Sequence, residues 1–276
     1  MYLAIDIGGT KTLLALFSPH GLCLKRLKFE TASSPAAYTK SLYEHLRAFL
    51  PHDFCRRHIR AVTVAIPGVV KIGPNSCSFK FGNLDWPHID LIPPIKKLFD
   101  AKIFFANDAN LATLYEATRP LRKKGKSVYL TFSTGIGGGI AKNGKLLKTS
   151  DAFEPGHVKY TYQNTSKEWE DLASAKALIE AYQIPALQDL VLDDLHLEDL
   201  IARLSLGLLD IIDQESPKTI IIGGPLAFLF KKFKKPLLES LKTSIKTEHL
   251  RLLKARRPTE SVIYGAYLYS KQNYRK

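Results

Sequence analysis

The chain has 276 residues, of which 45% are hydrophobic, so it can bury one large core or two moderate ones. No apolar run reaches the about 18 residues of a membrane span, and the first residues lack the basic and apolar regions of a signal peptide. The formal net charge of +14 would attract polyanions, but no zinc-finger, basic-zipper or RNA-recognition signature accompanies it. We therefore expect a cytoplasmic protein that binds neither membranes nor nucleic acid.

In chain order, the first predicted elements are strands joined by a glycine-rich turn. Apolar runs predict strands over 2–7, 12–17 and 22–29, with the turn at residues 8–10. The same order recurs over 128–147, where a second glycine turn and the hairpin turn Asn143-Gly144 separate three short strands.

Helices and further strands follow each of these units. Periodic apolar residues predict helices over 36–50, 165–182, 195–212 and 259–269, and Thr165 with Glu168 resembles a capping box. Strands are predicted over 61–66, 103–106 and 219–222. This is an α/β pattern in two lobes, 1–110 and 111–258, and the sequence leaves open whether the last helix, within 259–276, crosses back to complete the first lobe.

The first glycine turn has the chemistry of a phosphate site. Its residues are Asp6, Gly8, Gly9, Thr10 and Lys11. Backbone N–H groups approach a phosphate closely only where side chains are absent, and the hydroxyl and ammonium groups add donors. Asp6 could hold Mg²⁺, usually through water. The spacing is not that of a Walker A loop. An ordinary hairpin turn with an incidental Asp is the alternative.

Two further glycine segments follow. The second turn, 133–139, has four glycines in five positions, more than a hairpin needs, and we expect Thr134, Gly135 and Gly137 to contact phosphate. Gly223 and Gly224 end a buried strand, where a flat ring such as adenine could lie on the backbone; a simple helix start is the alternative.

Other polar side chains are suited to bind a ligand that carries hydroxyl groups. Asp108 follows Asn107 at the carboxyl end of a strand, where open α/β sheets bind ligands, and it could accept a proton from an attacking hydroxyl; a helix cap is the alternative. Glu154, His157 and Glu170 are good partners for several sugar hydroxyls. Asn83 lies in a polar loop that also carries Trp86.

Taken in order, these motifs resemble the ROK family of sugar kinases, of the two-lobed actin and hexokinase-like (RNase H-like) fold with its active site in the interdomain cleft. The matching pieces are DIGGTKT, IPGVV, NLDW, NDAN, STGIGGG, EPGH, WEDLAS and IIIGGP. The resemblance implies a phosphotransferase that uses ATP with Mg²⁺ and a hexose, glucose or a related sugar, and it implies a homodimer.

The resemblance also implies roles for individual residues. Asp108 is similar to the catalytic Asp, and Gly223 with Gly224 to the adenosine site. The two glycine turns are similar to the phosphate turns of the family. The implied sugar ligands are Gly68, Asn83, Asn107, Asp108, Glu154, His157 and Glu170.

One departure from the family pattern bears on both the metal and the phosphoryl donor. Many family members hold zinc with the His and three downstream cysteines, whereas here no cysteine follows Cys77, so we expect no zinc. The missing cysteines and the short chain resemble the polyphosphate glucokinase branch, so ATP is the favoured donor and polyphosphate the alternative. A non-catalytic sugar-sensing regulator is the alternative of a different class.

Overall fold

The computed structural model describes residues 1–50, 52, 56–72, 77–81, 86, 89–118, 124–245 and 249–274. Two compact units divide the chain. Unit 1 comprises Met1–Tyr115 and Val262–Lys276, and unit 2 comprises Glu116–Ser261. The chain thus leaves unit 1 once, after Tyr115, and returns to it once, before Val262.

Unit 1 contains a five-stranded sheet in the order β3-β2-β1-β4-β7. The first three strands are antiparallel neighbours, whereas β4 and β7 run parallel to β1. A separate antiparallel pair, β5 and β6, follows β4. The bounds are β1 Tyr2–Ile7, β2 Lys11–Phe17, β3 Cys23–Glu30, β4 Ala61–Ile66, β5 Gly68–Ile72, β6 Cys77–Phe81 and β7 Lys102–Asn107.

Alternation along these strands builds a core on each face of the sheet. Leu3, Ile5 and Ile7 pack in one cluster with α1 (Pro35–Phe49), while Tyr2 and Ala4 pack in another with α3 (Asp108–Ala117) and the last helix, α8 (Ser261–Tyr274). Ser34 caps α1 by accepting a hydrogen bond from the backbone N–H of Ala37, and α2 (Ile92–Lys96) packs near α1.

Unit 2 contains a second five-stranded sheet, in the order β10-β9-β8-β13-β14. The hairpin of β8 and β9 is antiparallel, and β13 runs parallel to both β8 and β14. The bounds are β8 Lys126–Phe132, β9 Ile136–Lys142, β10 Lys145–Leu146, β13 Thr219–Gly223 and β14 Arg251–Lys254, with a separate hairpin of β11 Lys159–Tyr162 and β12 Thr165–Glu168.

The helices of unit 2 bury one apolar face against this sheet. In α6 the residues Leu200, Leu204, Leu208 and Ile211 recur at helical spacing and are buried, as the sequence predicted. The helix bounds are α4 Trp169–Ala173, α5 Ala175–Ala181, α6 Asp194–Glu215 and α7 Phe230–Ser244, and short 3₁₀ helices cover Lys148–Ala152, Pro155–His157, Leu187–Asp189 and Pro225–Leu229.

The prediction of one helix over 165–182 was wrong. Its first four residues form β12, and the helical remainder is divided at Ser174, which has extended backbone and caps α5. The capping box is therefore also wrong, because Thr165 pairs with Tyr162 across the hairpin. Gln163 and Asn164 form its turn, both with positive φ, and this turn redirects the chain before the helical pattern begins.

A buried carboxylate joins the two ends of unit 2. Glu116, at its first position, accepts a hydrogen bond from the Ser261 hydroxyl at 2.7 Å and from the backbone N–H of Arg256 at 3.0 Å. Burial of a charged group requires such partners, so Glu116 fixes the segment that leads into α8.

None of the helices in the described part of the chain combines the length and the apolar character that a bilayer span needs.

Candidate active site

In unit 1 the first glycine turn is closed by its own backbone and by Thr31. The N–H of Gly8 donates to the carbonyl of Lys11 at 3.0 Å, and the Thr31 hydroxyl donates to the carbonyl of Gly8 at 2.9 Å. The Thr31 N–H also donates to the carbonyl of Thr10 at 3.0 Å. The Gly8 N–H is thus used within the turn, which leaves the exposed residues Gly9 and Thr10 as the better candidates to meet a phosphate.

Two carboxylates lie near each other in unit 1. Burial, first, and the negative charge of Asp108, second, raise the pKa of Asp6 to about 7, while the nearby Lys28 acts in the opposite direction. Such a perturbed pair is typical of a functional site. A divalent cation prefers carboxylate oxygens, so Asp6 fits the magnesium role that the sequence predicted for it, and that role stays a prediction.

Asn107 and Asp108 stand where β7 meets α3. The Asn107 side chain donates through Nδ2 to the carbonyl of Gly68 at 2.9 Å and accepts through Oδ1 from the N–H of Asn110 at 2.9 Å. Asn107 is therefore the residue that caps α3, and Asp108 is the first residue of that helix, partly exposed. Gly68 has a φ of 99°, a conformation that favours glycine.

In unit 2 the second glycine turn is bonded to Glu170. The Glu170 Oε2 atom accepts the N–H of Ile136 at 3.2 Å. A side chain on Gly135 would collide with the same carboxylate, and a side chain on Gly156 would collide with the Ile136 carbonyl. Packing therefore requires glycine at both positions, and the phosphate contact predicted for Gly135 stays a prediction. Thr134 is exposed at the tip, and Gly137 lies within β9 opposite Thr131.

Three glutamates surround His157. Its Nδ1 atom lies 2.9 Å from Oε2 of Glu168 and 3.9 Å from Oε1 of Glu170. The hydrogen bond with Glu168 raises the pKa of the His157 imidazole, an effect that burial opposes and that the negative charges of Glu170 and Glu154 reinforce. Burial is also the main reason why the pKa of Glu154 is raised. The cluster combines carboxylates, which accept hydrogen bonds, with an imidazole, which can donate or accept, so it could bind several hydroxyls, and its role as the sugar site stays a prediction.

The same cluster has a spacing compatible with a cation. The candidate ligand atoms of His157, Glu168 and Glu170 lie within 4.8 Å of one another. Each of these contacts also satisfies a hydrogen bond or ion pair without a cation, and such acidic clusters are common. The expectation that the protein holds no zinc stays a prediction.

The third glycine segment ends β13. Gly223 is buried, and a side chain there would collide with the hydroxyl of Tyr129; Gly224 has a φ of 71° and lies against the backbone of Phe132. The Gly224 N–H donates to the carbonyl of Pro258 at 2.9 Å. Close packing of β13 against β8 therefore accounts for both glycines, and their contact with adenosine stays a prediction.

The predicted site residues fall into two sets by unit. Unit 1 carries Asp6, Gly8, Gly9, Thr10, Lys11, Gly68, Asn107 and Asp108; unit 2 carries Thr134, Gly135, Gly137, Glu154, His157, Glu170, Gly223 and Gly224. Asn83 lies outside the described residues. Sequence reasoning missed two supporting side chains, Thr31 and Glu168. Thr31 lies far from the turn along the chain, whereas Glu168 is two positions from Glu170 but belongs to the capping-box pattern that predicts a helix start.

Comparison with known proteins adds to this geometry. The family model of the ROK family matches residues 2–272. A fructokinase of Lactococcus lactis subsp. cremoris is 28% identical over 162 residues, which is 57% of this chain and 52% of the relative. An N-acetylmannosamine kinase of Escherichia coli O139:H28 is 31% identical over 160 residues, 58% of this chain and 53% of the relative. The chain spans about half the length of the curated relatives it matches.

Solved structures show the same fold, the actin and hexokinase-like α/β fold that the sequence predicted. A ROK family glucokinase of Streptomyces griseus, in complex with glucose and AMPPNP, has a TM-score of 0.78 at 20% identity and covers 99% of both chains. An inorganic polyphosphate/ATP-glucomannokinase of Arthrobacter sp. strain KM has a TM-score of 0.69 at 21% identity, with 97% of both chains covered.

A ROK family transcriptional regulator, described as a homologue of the E. coli MLC protein, has a TM-score of 0.82 at 19% identity. The match covers 99% of this chain and 78% of the regulator. The fold is therefore shared by enzymes and a regulator, and the choice between these classes depends on the residues of the site.

Proposed function

Since the chain belongs to the ROK family, we propose that it is a sugar kinase that moves a phosphoryl group from ATP to a hydroxyl of a hexose. The observation that carries this proposal is the placement of Asp108. Its carboxylate stands at the carboxyl end of a parallel strand, on the first residue of α3, and its charge acts on a second carboxylate, Asp6. Ligands of α/β sheets bind at such strand ends.

In the proposed mechanism the residues of unit 1 act on both the attacking hydroxyl and the phosphate donor. Asp108 accepts the proton of the attacking hydroxyl, and the Asn107 side chain, held by Gly68, stabilises the start of α3 beside it. The turn at Gly9 and Thr10 holds a phosphate through backbone N–H groups. A magnesium ion bound with the nucleotide would neutralise charge on the transferred phosphoryl group, and Asp6 is the residue that would hold it.

The residues of unit 2 are assigned to hydroxyl recognition and to the donor. Glu154, His157 and Glu170 bind the hydroxyls of the sugar, Thr134 with Gly135 and Gly137 binds a phosphate, and Gly223 with Gly224 borders the adenosine. Support comes from the cluster of carboxylates around His157 and from the resemblance of these motifs to the family.

The sugar is a hexose in this proposal, and glucose is favoured. The relatives act on different sugars by name, fructose and N-acetylmannosamine, while a structural neighbour was solved with glucose. A coupled kinase assay over glucose, mannose, fructose, N-acetylglucosamine and N-acetylmannosamine, with ATP and with polyphosphate, tests both the class and the substrate.

Replacing Asp108 by Asn tests the mechanism. We expect this variant to bind the sugar while its kcat falls about 100-fold or more, the usual scale for loss of a general base. Asp100→Asn, an exposed carboxylate elsewhere in unit 1, is the control and should keep wild-type turnover. Near-wild-type kcat in Asp108→Asn would show that another group is the base.

A second candidate keeps the kinase but changes the donor to polyphosphate. The exposed residues Lys231, Lys232, Lys234 and Lys235 lie in the first two turns of α7, with no acidic residue in its first turn. Positive charge is unfavourable in the first turn of a helix, so the charges of Lys231 and Lys232 are not explained by the helix dipole. A neighbour of the same fold uses polyphosphate by name.

A third candidate is a sugar-sensing protein without catalysis, which the fold of the regulator supports. The kinase assay separates it from the first two: sugar binding by calorimetry without turnover on any sugar or donor would favour the sensor.

A further inference from the structure

The imidazole of His157 is bound to a carboxylate that the proposed mechanism does not use. Its Nδ1 atom lies 2.9 Å from Oε2 of Glu168, whereas the nearest oxygen of Glu170, Oε1, is 3.9 Å away. The other oxygen of Glu170 accepts the N–H of Ile136. Glu168 is therefore the hydrogen-bond partner of the ring, and Glu170 is not.

The backbone that carries Glu168 is fixed on both sides. Glu168 ends β12 and pairs with Lys159 of β11. The next residue, Trp169, is fully buried, with its backbone N–H bonded to the Val158 carbonyl at 2.8 Å and its indole N–H to the Arg203 carbonyl at 2.9 Å. A carboxylate carried by such a well-anchored backbone can hold the His157 ring in one orientation.

The pair is too exposed to serve folding stability. The side chain of His157 is 57% exposed and that of Glu168 is 35% exposed. Ion pairs at this exposure contribute little to the free energy of unfolding, because water screens them and two side chains must be ordered. What the hydrogen bond does decide is which ring nitrogen carries the proton. With Nδ1–H donated to Glu168, Nε2 is the nitrogen left to meet another group.

We propose that Glu168 is a positioning residue that keeps the His157 ring protonated at Nδ1 and so reserves Nε2 for a hydroxyl of the acceptor sugar. This rests on the proposed function, in which His157 is a sugar ligand. In the neutral ring Nε2 accepts the hydroxyl proton. Loss of Glu168 leaves His157 in place but frees the ring to rotate and to take the other tautomer.

The first test reads the tautomer directly. Nitrogen-15 spectra of the His157 ring, recorded where the ring is neutral, should show the Nδ1–H form in the wild type. Glu168→Ala should shift the ring toward the Nε2–H form, which free imidazoles prefer in water, and Glu168→Gln should shift it less because the amide oxygen still accepts. Glu180→Ala is the control. It removes an exposed carboxylate of α5 that pairs with Lys176, and it should leave the His157 tautomer unchanged. An identical tautomer in the wild type and in Glu168→Ala overturns the proposal.

The second test separates positioning from structure. With the hexose that the wild type phosphorylates, Glu168→Ala should raise the KM of the sugar about tenfold, the usual cost of one misplaced hydrogen bond to a ligand, with a smaller change in kcat and an unchanged melting temperature. Glu168→Gln should fall between the two. A wild-type KM, or a fall in melting temperature with no change in KM, overturns the proposal.

The two proposals fail in distinguishable ways. If the wild type phosphorylates no hexose, the kinase proposal fails, and calorimetric titration with glucose, fructose and N-acetylmannosamine then decides on Glu168. Weaker binding of any of these sugars by Glu168→Ala supports positioning. Equal affinity in both proteins, or no binding by the wild type, overturns it.

Discussion

Asp6 is a carboxyl group whose surroundings oppose its charge. Its pKa is raised to about 7 by burial and by Asp108, whereas an Asp in an unfolded chain has a pKa of about 3.9. Between these values the folded chain keeps a proton that the unfolded chain has lost. The free energy of unfolding therefore falls as pH rises from about 4 to about 7, and the penalty is complete above that range.

Replacing Asp6 by Asn should remove this penalty. We expect the variant to be more stable than the wild type by up to ~4 kcal/mol at about pH 8, and the difference to shrink toward zero at about pH 4. Urea unfolding at both pH values, without nucleotide or magnesium, measures it. Asp100→Asn, an exposed carboxyl, is the control. Equal stabilisation of Asp6→Asn at both pH values would contradict the assigned cause.

At the level of single residues, the sequence is informative where a residue type is itself unusual. Asp6 and Asp108 could be singled out because each is an acid at the end of an apolar strand, and the structure places their charges near each other. Thr31 and Glu168 could not be singled out. Their importance comes from hydrogen bonds to Gly8 and to His157, and those partners are brought close only by tertiary folding.

Among the elements, prediction succeeded where the pattern was long and failed where turn chemistry was weak. The helix predicted over 195–212 is confirmed as the core of α6, since its apolar spacing persists over several turns. The helix predicted from residue 165 was wrong because Gln163 and Asn164 are not a strong turn pair in sequence, yet both adopt positive φ. Without that turn, the polar strand β12 resembles a helix start.

The junction of α6 with α4 gives a test at this scale. A side chain on Gly207 would run into the ring of the fully buried Trp169. Although Ala normally favours a helix over Gly by about 1 kcal/mol, we expect Gly207→Ala to lower the free energy of unfolding by ~1–3 kcal/mol, because the core would be overpacked. Thermal and urea unfolding measure the change.

Ser205→Ala, two positions away on the same helix, is the matched control. Its buried hydroxyl has no hydrogen-bond partner among the residues that the structure describes, so removing it should leave stability unchanged or slightly higher. Stabilisation by both substitutions would show that Trp169 can move aside.

For the molecule as a whole, the net charge of +14 bears on the donor. A long polyanion releases many counterions on binding, so its affinity should fall steeply with salt, by analogy with nucleic acids. ATP engages few charges. We expect turnover with ATP to depend weakly on salt, and Lys232→Glu with Lys234→Glu to change the KM of ATP little.

The control for this charge reversal is Lys145→Glu with Lys148→Glu, two exposed residues at another part of unit 2. If polyphosphate gives a far higher kcat/KM than ATP, and only the α7 variant loses it, the donor is polyphosphate and the kinase proposal stands.

Unit 2 is an insert in the sequence of unit 1, and its first and last residues are joined by a hydrogen bond. The hydroxyl of Ser261 lies 2.7 Å from Oε1 of Glu116. In unit 1, on the other side of this junction, the ring centroids of Tyr115 and Tyr264 lie 5.2 Å apart. A segment whose ends coincide can be cut out without stretching its chain. We expect the excised fragment 116–261 to fold alone, which circular dichroism and cooperative melting would measure. The Glu116→Ala variant of the fragment should no longer fold alone. A fragment that stays unfolded would mean that unit 2 is not a portable module.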